Sequence, residues 1–245
     1  MIDFVPKDKI YKPLLIYLLM TNNEELIKNK TVISPRTISI LKDVSNKYAS
    51  LILKRYTEKN YLRRIKKGKY TSSYNIYAVA SNLIYPSYIS FWSGIRYYGK
   101  TEQLLNTIFV ACTKKTRDIK FENYKIKFVK LSKKYFFGFK KEISTNEEVF
   151  IADKEKLLLD CLLFQKYSGN IDEIIKFIEG ENFDIEKLKI YLKKINNQSL
   201  IQKTAFLLEK YKKIDLGLKI KTRNYTFLPI IDKEKINKKW RVKTK

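Results

Sequence analysis

The 245-residue sequence predicts an α+β protein: an N-terminal winged helix-turn-helix followed by a mixed α/β domain that ends in a helical subdomain. Three observations predict it. An amphipathic segment from Asn46 to Lys59 runs at once into a basic hairpin, Tyr61 to Tyr70. Apolar runs of strand length follow between residues 105 and 151. From Asp153 onward, capped segments of helical period dominate. The two units are expected at 1–72 and 73–245, the second mixed in strands and helices to about 165 and mainly helical after that.

The first helix is expected over Tyr11 to Thr21, with Pro13 in its first turn. Its apolar core, Leu14 to Met20, is far shorter than a membrane span, and no small-residue cleavage site follows. No membrane partner is therefore expected. Asn22 to Pro35 reads as loop, Thr37-Ile38 as a short strand, and Ser39 as the cap of a brief helix through Val44. Ser45 caps the next helix, on which Ala49, Ile52, Leu53 and Tyr56 form one apolar face. The hairpin after it has five cationic side chains and no acid, with Leu62, Ile65 and Tyr70 as anchors. Gly68 supplies the positive φ of its turn.

Beyond the hairpin, Asn75 to Asn82 reads as helix. A further helix starts at Ser87 or Ser90 and ends at Gly99. Leu105 to Thr113 is expected as a buried strand, and Tyr124 to Phe128 as a half-buried one with its lysines outward. Tyr135 to Phe139 is a strand or turn, and Glu148 to Ile151 a third strand. Asp153 caps a helix through about Tyr167. Helices follow at Ile171–Glu179, Asp184–Ile195 and Ser199–Lys213, and Tyr225 to Leu228 is extended.

The net charge of +26 invites a polyanionic partner, but the excess is spread along the chain. Residues 1–70 carry 16 basic and 6 acidic groups, 71–150 carry 13 and 6, and 151–245 carry 22 and 13. Placement in the hairpin is more telling than the total. Histidine is absent, which excludes His-based triads and imidazole metal sites. Cys112 and Cys161 stand alone in apolar runs without CxxC spacing. They read as buried free thiols, and a reducing cytoplasm is the expected compartment. No phosphate-cradling glycine loop occurs, and no cofactor or metal is expected.

A helix followed by a basic wing makes double-stranded DNA the first partner to consider. Asn46, Lys47, Tyr48 and Ser50 lie near the start of the recognition-type helix, where side chains meet base edges. Lys54, Arg55 and the wing residues Arg63, Arg64, Lys66 and Lys67 are placed to grip phosphate or the minor groove. The plain alternative is a solvated lysine-rich surface.

Several segments occur together in one family. They are the hairpin ending Gly68-Lys69-Tyr70, then Tyr88-Ile89-Ser90, Ser93-Gly94, Tyr98-Gly99, Thr101-Glu102-Gln103, Ile108 to Ala111, Phe137-Gly138, and Ile151 to Asp160. In this the chain resembles the AbiEi-type antitoxins, the regulators of abortive-infection (type IV) toxin–antitoxin pairs used in phage defence. The resemblance covers residues 10 to 165 well and the remainder more loosely. Its most specific marker is Asp153, Glu155, Lys156 and Asp160. The family usually has Pro where Lys154 stands and His where Tyr98 stands. The resemblance implies a non-enzymatic transcription regulator that binds repeats in its own promoter. It also implies antagonism of a nucleotidyltransferase-like toxin without a stable complex.

Local stabilisation accounts for the Asp153–Asp160 stretch through a cap, a first-turn acid and an i,i+4 pair; an active site is the sharper alternative. Two other functions stay open. Asp118-Ile119-Lys120, with Glu102 as a second acid, matches a fragment of a metal-dependent nuclease that a winged helix would target. The C-terminal helices could instead bind the toxin directly. The aromatic–basic run Lys133 to Lys141 reads as core aromatics with lysines outside, or as a stacking surface for single strands.

Overall fold

A computed structural model describes residues 30–245, and the helix expected over Tyr11–Thr21 lies outside them. Among the described residues the chain is mixed α+β. It opens with α1 (Pro35–Lys42) and α2 (Asn46–Glu58), followed by the hairpin β1 (Arg63–Lys66) and β2 (Lys69–Thr71). Thr37 and Ile38 belong to α1 rather than to a strand. Ser34 caps that helix by accepting the Thr37 N–H at 3.3 Å, and Pro35 takes the first helical position, where its missing N–H costs nothing. Ser39 lies inside α1 and caps nothing; its hydroxyl donates to the Val44 carbonyl at 2.6 Å. Ser45 caps α2 as expected, accepting from Tyr48 N at 3.2 Å. Ala49 and Leu53 are buried with Ile33, Ile38, Leu62 and Tyr70, and Ile52 and Tyr56 pack against them. Ile33 and Tyr70 exchange backbone hydrogen bonds of 2.8 and 2.9 Å, which ties the hairpin to the segment entering α1.

Next come α3 (Ile76–Asn82), β3 (Ser87–Ile89), α4 (Phe91–Tyr97), β4 (Thr107–Cys112), β5 (Ile119–Phe121), β6 (Tyr124–Lys130), β7 (Phe139–Ser144) and β8 (Glu147–Ala152). They form a six-stranded sheet in the order β5-β6-β4-β3-β8-β7. β4 pairs with β6, and β3 with β8, in parallel; the other ladders are antiparallel. Side-chain alternation sends Ile89, Ile108, Val110, Cys112, Ile126 and Ile151 to one face, covered by α3 and by Ile65 of the hairpin. Tyr88, Ala111, Val129 and Ala152 face the other way, under a helical layer.

That layer is α4, α5 (Lys154–Leu163), α6 (Ile171–Gly180), α7 (Ile185–Ile195) and α8 (Gln198–Lys212). Asp153, Asn170, Asp184 and Asn197 each cap the helix they precede. The helix expected from Asp153 to Tyr167 stops at Leu163, and Gln165–Tyr167 is a separate 3₁₀ turn. Ser87 begins a strand, so the helix boundary falls at Ser90. A small three-stranded sheet closes the chain in the order β10 (Ile236–Asn237), β11 (Val242–Lys243), β9 (Thr226–Phe227), seated on α8. Among the described residues no helix is long and apolar enough to cross a membrane.

Candidate nucleic-acid interface and a buried polar centre

Asn46, Lys47, Tyr48, Ser50, Lys54 and Arg55 are all exposed on α2. Ser45, Lys47, Tyr48, Ser50, Leu51 and Lys54 line an open groove along it. The Ser50 hydroxyl bonds back to the Asn46 carbonyl at 2.8 Å, and Lys54 makes a solvent-exposed 3.7 Å pair with Glu58. Such a pair is screened and weak, so it leaves the ammonium free to exchange partners. In the hairpin Arg64, Lys66 and Lys67 are exposed. A register shift between Arg64 and Lys66 sets Lys66 directly opposite Lys69. Burial lowers the Lys69 pKa, and Lys66 lowers it further. Like charges facing across a ladder repel, and an anion between them relieves the repulsion.

Arg63 is placed differently from its neighbours. Its guanidinium donates to the Ser73 carbonyl and to Glu122 Oε1, the latter at 2.5 Å, and lies 4.0 Å from the Tyr74 ring centroid. Glu122 follows β5, at the edge of the large sheet. Arg63 therefore straps the hairpin to the body. Ser73 adds a 2.5 Å bond to Glu147, and Asn75 bonds to the Ser144 carbonyl at 3.3 Å and Thr145 Oγ1 at 3.1 Å.

The second assembly lies inside the molecule. Lys156 and Asp160 are fully buried and paired, one turn apart on α5. Asp160 also accepts from Ser90 Oγ at 2.9 Å and Tyr88 Oη at 3.2 Å. Burial pushes the Asp160 carboxyl up from its ordinary value against the pull of Lys156, Ser90 and Tyr88. Asp153 caps α5 at 2.8 Å and accepts from Tyr191 Oη at 2.8 Å. Lys187 bridges Asp153 and Glu155, each at 3.0 Å. Burial disfavours the Lys187 ammonium, but its two acidic partners outweigh that and raise its pKa. Glu155 further accepts the Asp184 N–H at 2.9 Å, so α5 and α7 are locked end to end.

Several of the segments that carry the family resemblance meet here: Tyr88 and Ser90, Gly94, Gly138 and the start of α5. The Gly138 carbonyl accepts the Asp153 N–H at 3.0 Å. Gly138 adopts φ +68°, and a Cβ there would sit 2.9 Å from both Lys156 Cβ and Tyr191 Cε2. A Cβ at Gly94 would meet Leu157 Cδ1 at 2.5 Å. The four marker residues, Asp153, Glu155, Lys156 and Asp160, thus take part in a helix cap, ion pairs and buried hydrogen bonds that join α5 to α7 and to the sheet. With Lys156 and Asp160 sealed from solvent, the arrangement holds the helical layer onto the sheet.

The remaining candidates separate cleanly. Asp118 pairs with Lys125 at 3.0 Å on the sheet surface, and no cluster of three potential metal ligands occurs among the described residues. In the Lys133–Lys141 run, Phe139 stacks on Tyr88 at 4.7 Å, Phe136 packs beside it at 5.1 Å, and Phe137 meets Tyr191 at 5.0 Å. Phe136, Phe137 and Phe139 are partly buried and pack against the core rather than inside it. Cys112 and Cys161 are buried free thiols. Sequence reasoning missed the strap function of Arg63 and the buried roles of Tyr88 and Ser90, because each depends on a partner more than 50 positions away.

No family model matches the chain, and no curated protein matches it. Among solved structures it is similar to the RV2827C protein from Mycobacterium tuberculosis, with a TM-score of 0.59 at 9% identity. The match covers 88% of this chain and 86% of that one. At that identity the likeness speaks for the fold: the chain shares its overall α+β architecture with the mycobacterial protein.

Proposed function

We propose that this chain is a DNA-binding antitoxin that represses its own toxin–antitoxin operon. In this reading α1, α2 and the hairpin are a winged helix-turn-helix, and the chain antagonises a nucleotidyltransferase-type toxin without forming a stable complex and without catalysis of its own. The observation that carries the DNA part is the pairing of an open groove at the start of α2, lined by Lys47, Tyr48, Ser50 and Lys54, with a hairpin whose Arg64, Lys66 and Lys67 face solvent without an acidic partner among the described residues. Asn46, Lys47, Tyr48 and Ser50 read base edges; Lys54, Arg55, Arg64, Lys66 and Lys67 neutralise phosphates; Arg63 orients the wing. The antitoxin part rests on the resemblance of residues 10 to 165, of which Tyr88, Ser90, Gly138 and the Asp153–Asp160 stretch lie together around Lys156 and Asp160.

A gel-shift salt series on the chain's own promoter tests it. Each phosphate contact contributes about 0.9 to the magnitude of the salt slope. Arg64→Ala with Lys67→Ala should weaken binding and flatten the slope by roughly two such contributions. An unchanged slope removes the hairpin from the interface, and binding no tighter than to random duplex removes the operator reading.

A further inference from the structure

We propose that the small C-terminal sheet is a second nucleic-acid surface, one that takes single strands. It stands on observations separate from the duplex interface. β11 lies between β10 and β9, and Lys243 is directly opposite Ile236 on one side and Phe227 on the other. Ile236, Lys243 and Phe227 therefore form a row across one face. That face is open: Phe227 is 53% and Ile236 50% exposed. Tyr225, two residues before Phe227, is also exposed, and the Lys243 ammonium lies 5.6 Å from its ring centroid.

The opposite face is fixed. Leu228, Val242 and Trp240 are buried, Ser199 and Thr226 share a 2.5 Å hydroxyl contact, and Gln202 of α8 donates to the Asn224 and Arg241 carbonyls. The exposed rings thus ride on a rigid support rather than on a free tail.

Charge selects the occupant. Residues 216–245 hold ten basic and two acidic side chains, a denser excess than in the rest of the chain. One of the two acids, Asp232, is already paired with Lys210. Lys239 is committed to Glu209 and Asp215, but Lys221, Lys235, Lys238, Lys243 and Lys245 have no acidic partner among the described residues. Exposed aromatics interleaved with unpaired cations on a firm sheet suit unstacked bases on a phosphate chain. The rings take the base faces and the lysines the backbone. A paired duplex hides its base faces and would meet only the lysines.

Fluorescence anisotropy with the full chain tests this, using labelled oligouridylate, oligothymidylate and a random duplex. Both single strands should bind more tightly than the duplex once Arg64→Ala and Lys67→Ala have disabled the hairpin. Tyr225→Ala with Phe227→Ala should weaken single-strand binding roughly tenfold or more, while Tyr225→Phe with Phe227→Tyr retains it. Equal affinity of the alanine and wild-type chains overturns the proposal, as does equal loss in the aromatic-retaining variant. Displacement of the strands by poly-glutamate at equal charge concentration also overturns it, in favour of an acidic polypeptide partner. None of these outcomes depends on whether the chain recognises its promoter.

Discussion

Lys156 and Asp160 show how a charged pair survives with no solvent around it. Each is costly alone, and the cost is offset by their contact and by the Ser90 and Tyr88 hydroxyls. Asp160→Asn leaves the ammonium without its counter-charge and should cost about 3–5 kcal/mol in urea unfolding, whereas Lys156→Met with Asp160→Leu should cost less than that single change. Two phenols give a pH prediction. Burial and Glu142 raise Tyr97 to about 12, and burial and Asp153 raise Tyr191 to about 12. The unfolded chain releases these protons near pH ~10 while the fold retains them. Their contribution to stability is complete below pH ~10 and is lost progressively up to about 12. Denaturant midpoints across that window should fall less steeply in Tyr97→Phe and Tyr191→Phe than in wild type. At this scale the caps were legible in advance: Ser45 and Asp153 precede apolar periods, and their side chains answer N–H groups three residues on. Ser90 was not legible as a polar-centre residue, since its hydroxyl leaves the cap for Asp160, 70 positions away.

Among the elements, the hairpin is the one whose setting most affects use. Arg63 and Arg64 are adjacent in sequence but face different surroundings, because successive strand residues point to opposite sides. Arg63→Ala should lower amide exchange protection across Lys69–Thr71 while leaving β4 and β6 protected, since it removes the link to Glu122 and Ser73 but no core side chain. Arg64→Ala should leave protection unchanged everywhere. The element pattern was readable where period and length agreed, as in α2, β4, β6 and α6 to α8. It failed at Thr37-Ile38, whose β-branched pair suggests a strand while Ser34-Pro35 sets a helix start just upstream. It failed again at β3, β5, β10 and β11, whereas Tyr225 to Leu228, expected as extended, does hold β9. Three- and two-residue strands carry too few positions for alternation to show, and they form because a neighbouring strand supplies the ladder.

In the whole molecule, two apolar layers meet on one sheet, and the tail completes the second of them. Leu216, Leu228, Ile230, Trp240 and Val242 all belong to the core under the helical layer. Deleting residues 216–245 should therefore expose the α8 face, abolish a single cooperative thermal transition and give strong binding of a hydrophobic dye. The two-sided covering explains why β4 reads as a nearly continuous apolar run, Ile108 to Cys112, whereas β6 keeps lysines at alternate positions close to the sheet edge. The total charge foretold little of this layout. The unpaired part of it is local: Arg64, Lys66 and Lys67 on the hairpin and Lys243 on the small C-terminal sheet have no acidic partner among the described residues.

The anchoring of the hairpin carries one more consequence. With Ile65 in the sheet core, Arg63 on Glu122 and Ser73 on Glu147, there is no swivel between hairpin and body. A duplex held by the hairpin then sets the azimuth of the entire chain about the DNA axis. If the proposed promoter binding holds, copies on successive repeats point their bodies the same way when the repeats are about 10 base pairs apart, and to opposite sides at half that offset. On that proposal, repeat spacing decides whether neighbouring copies meet.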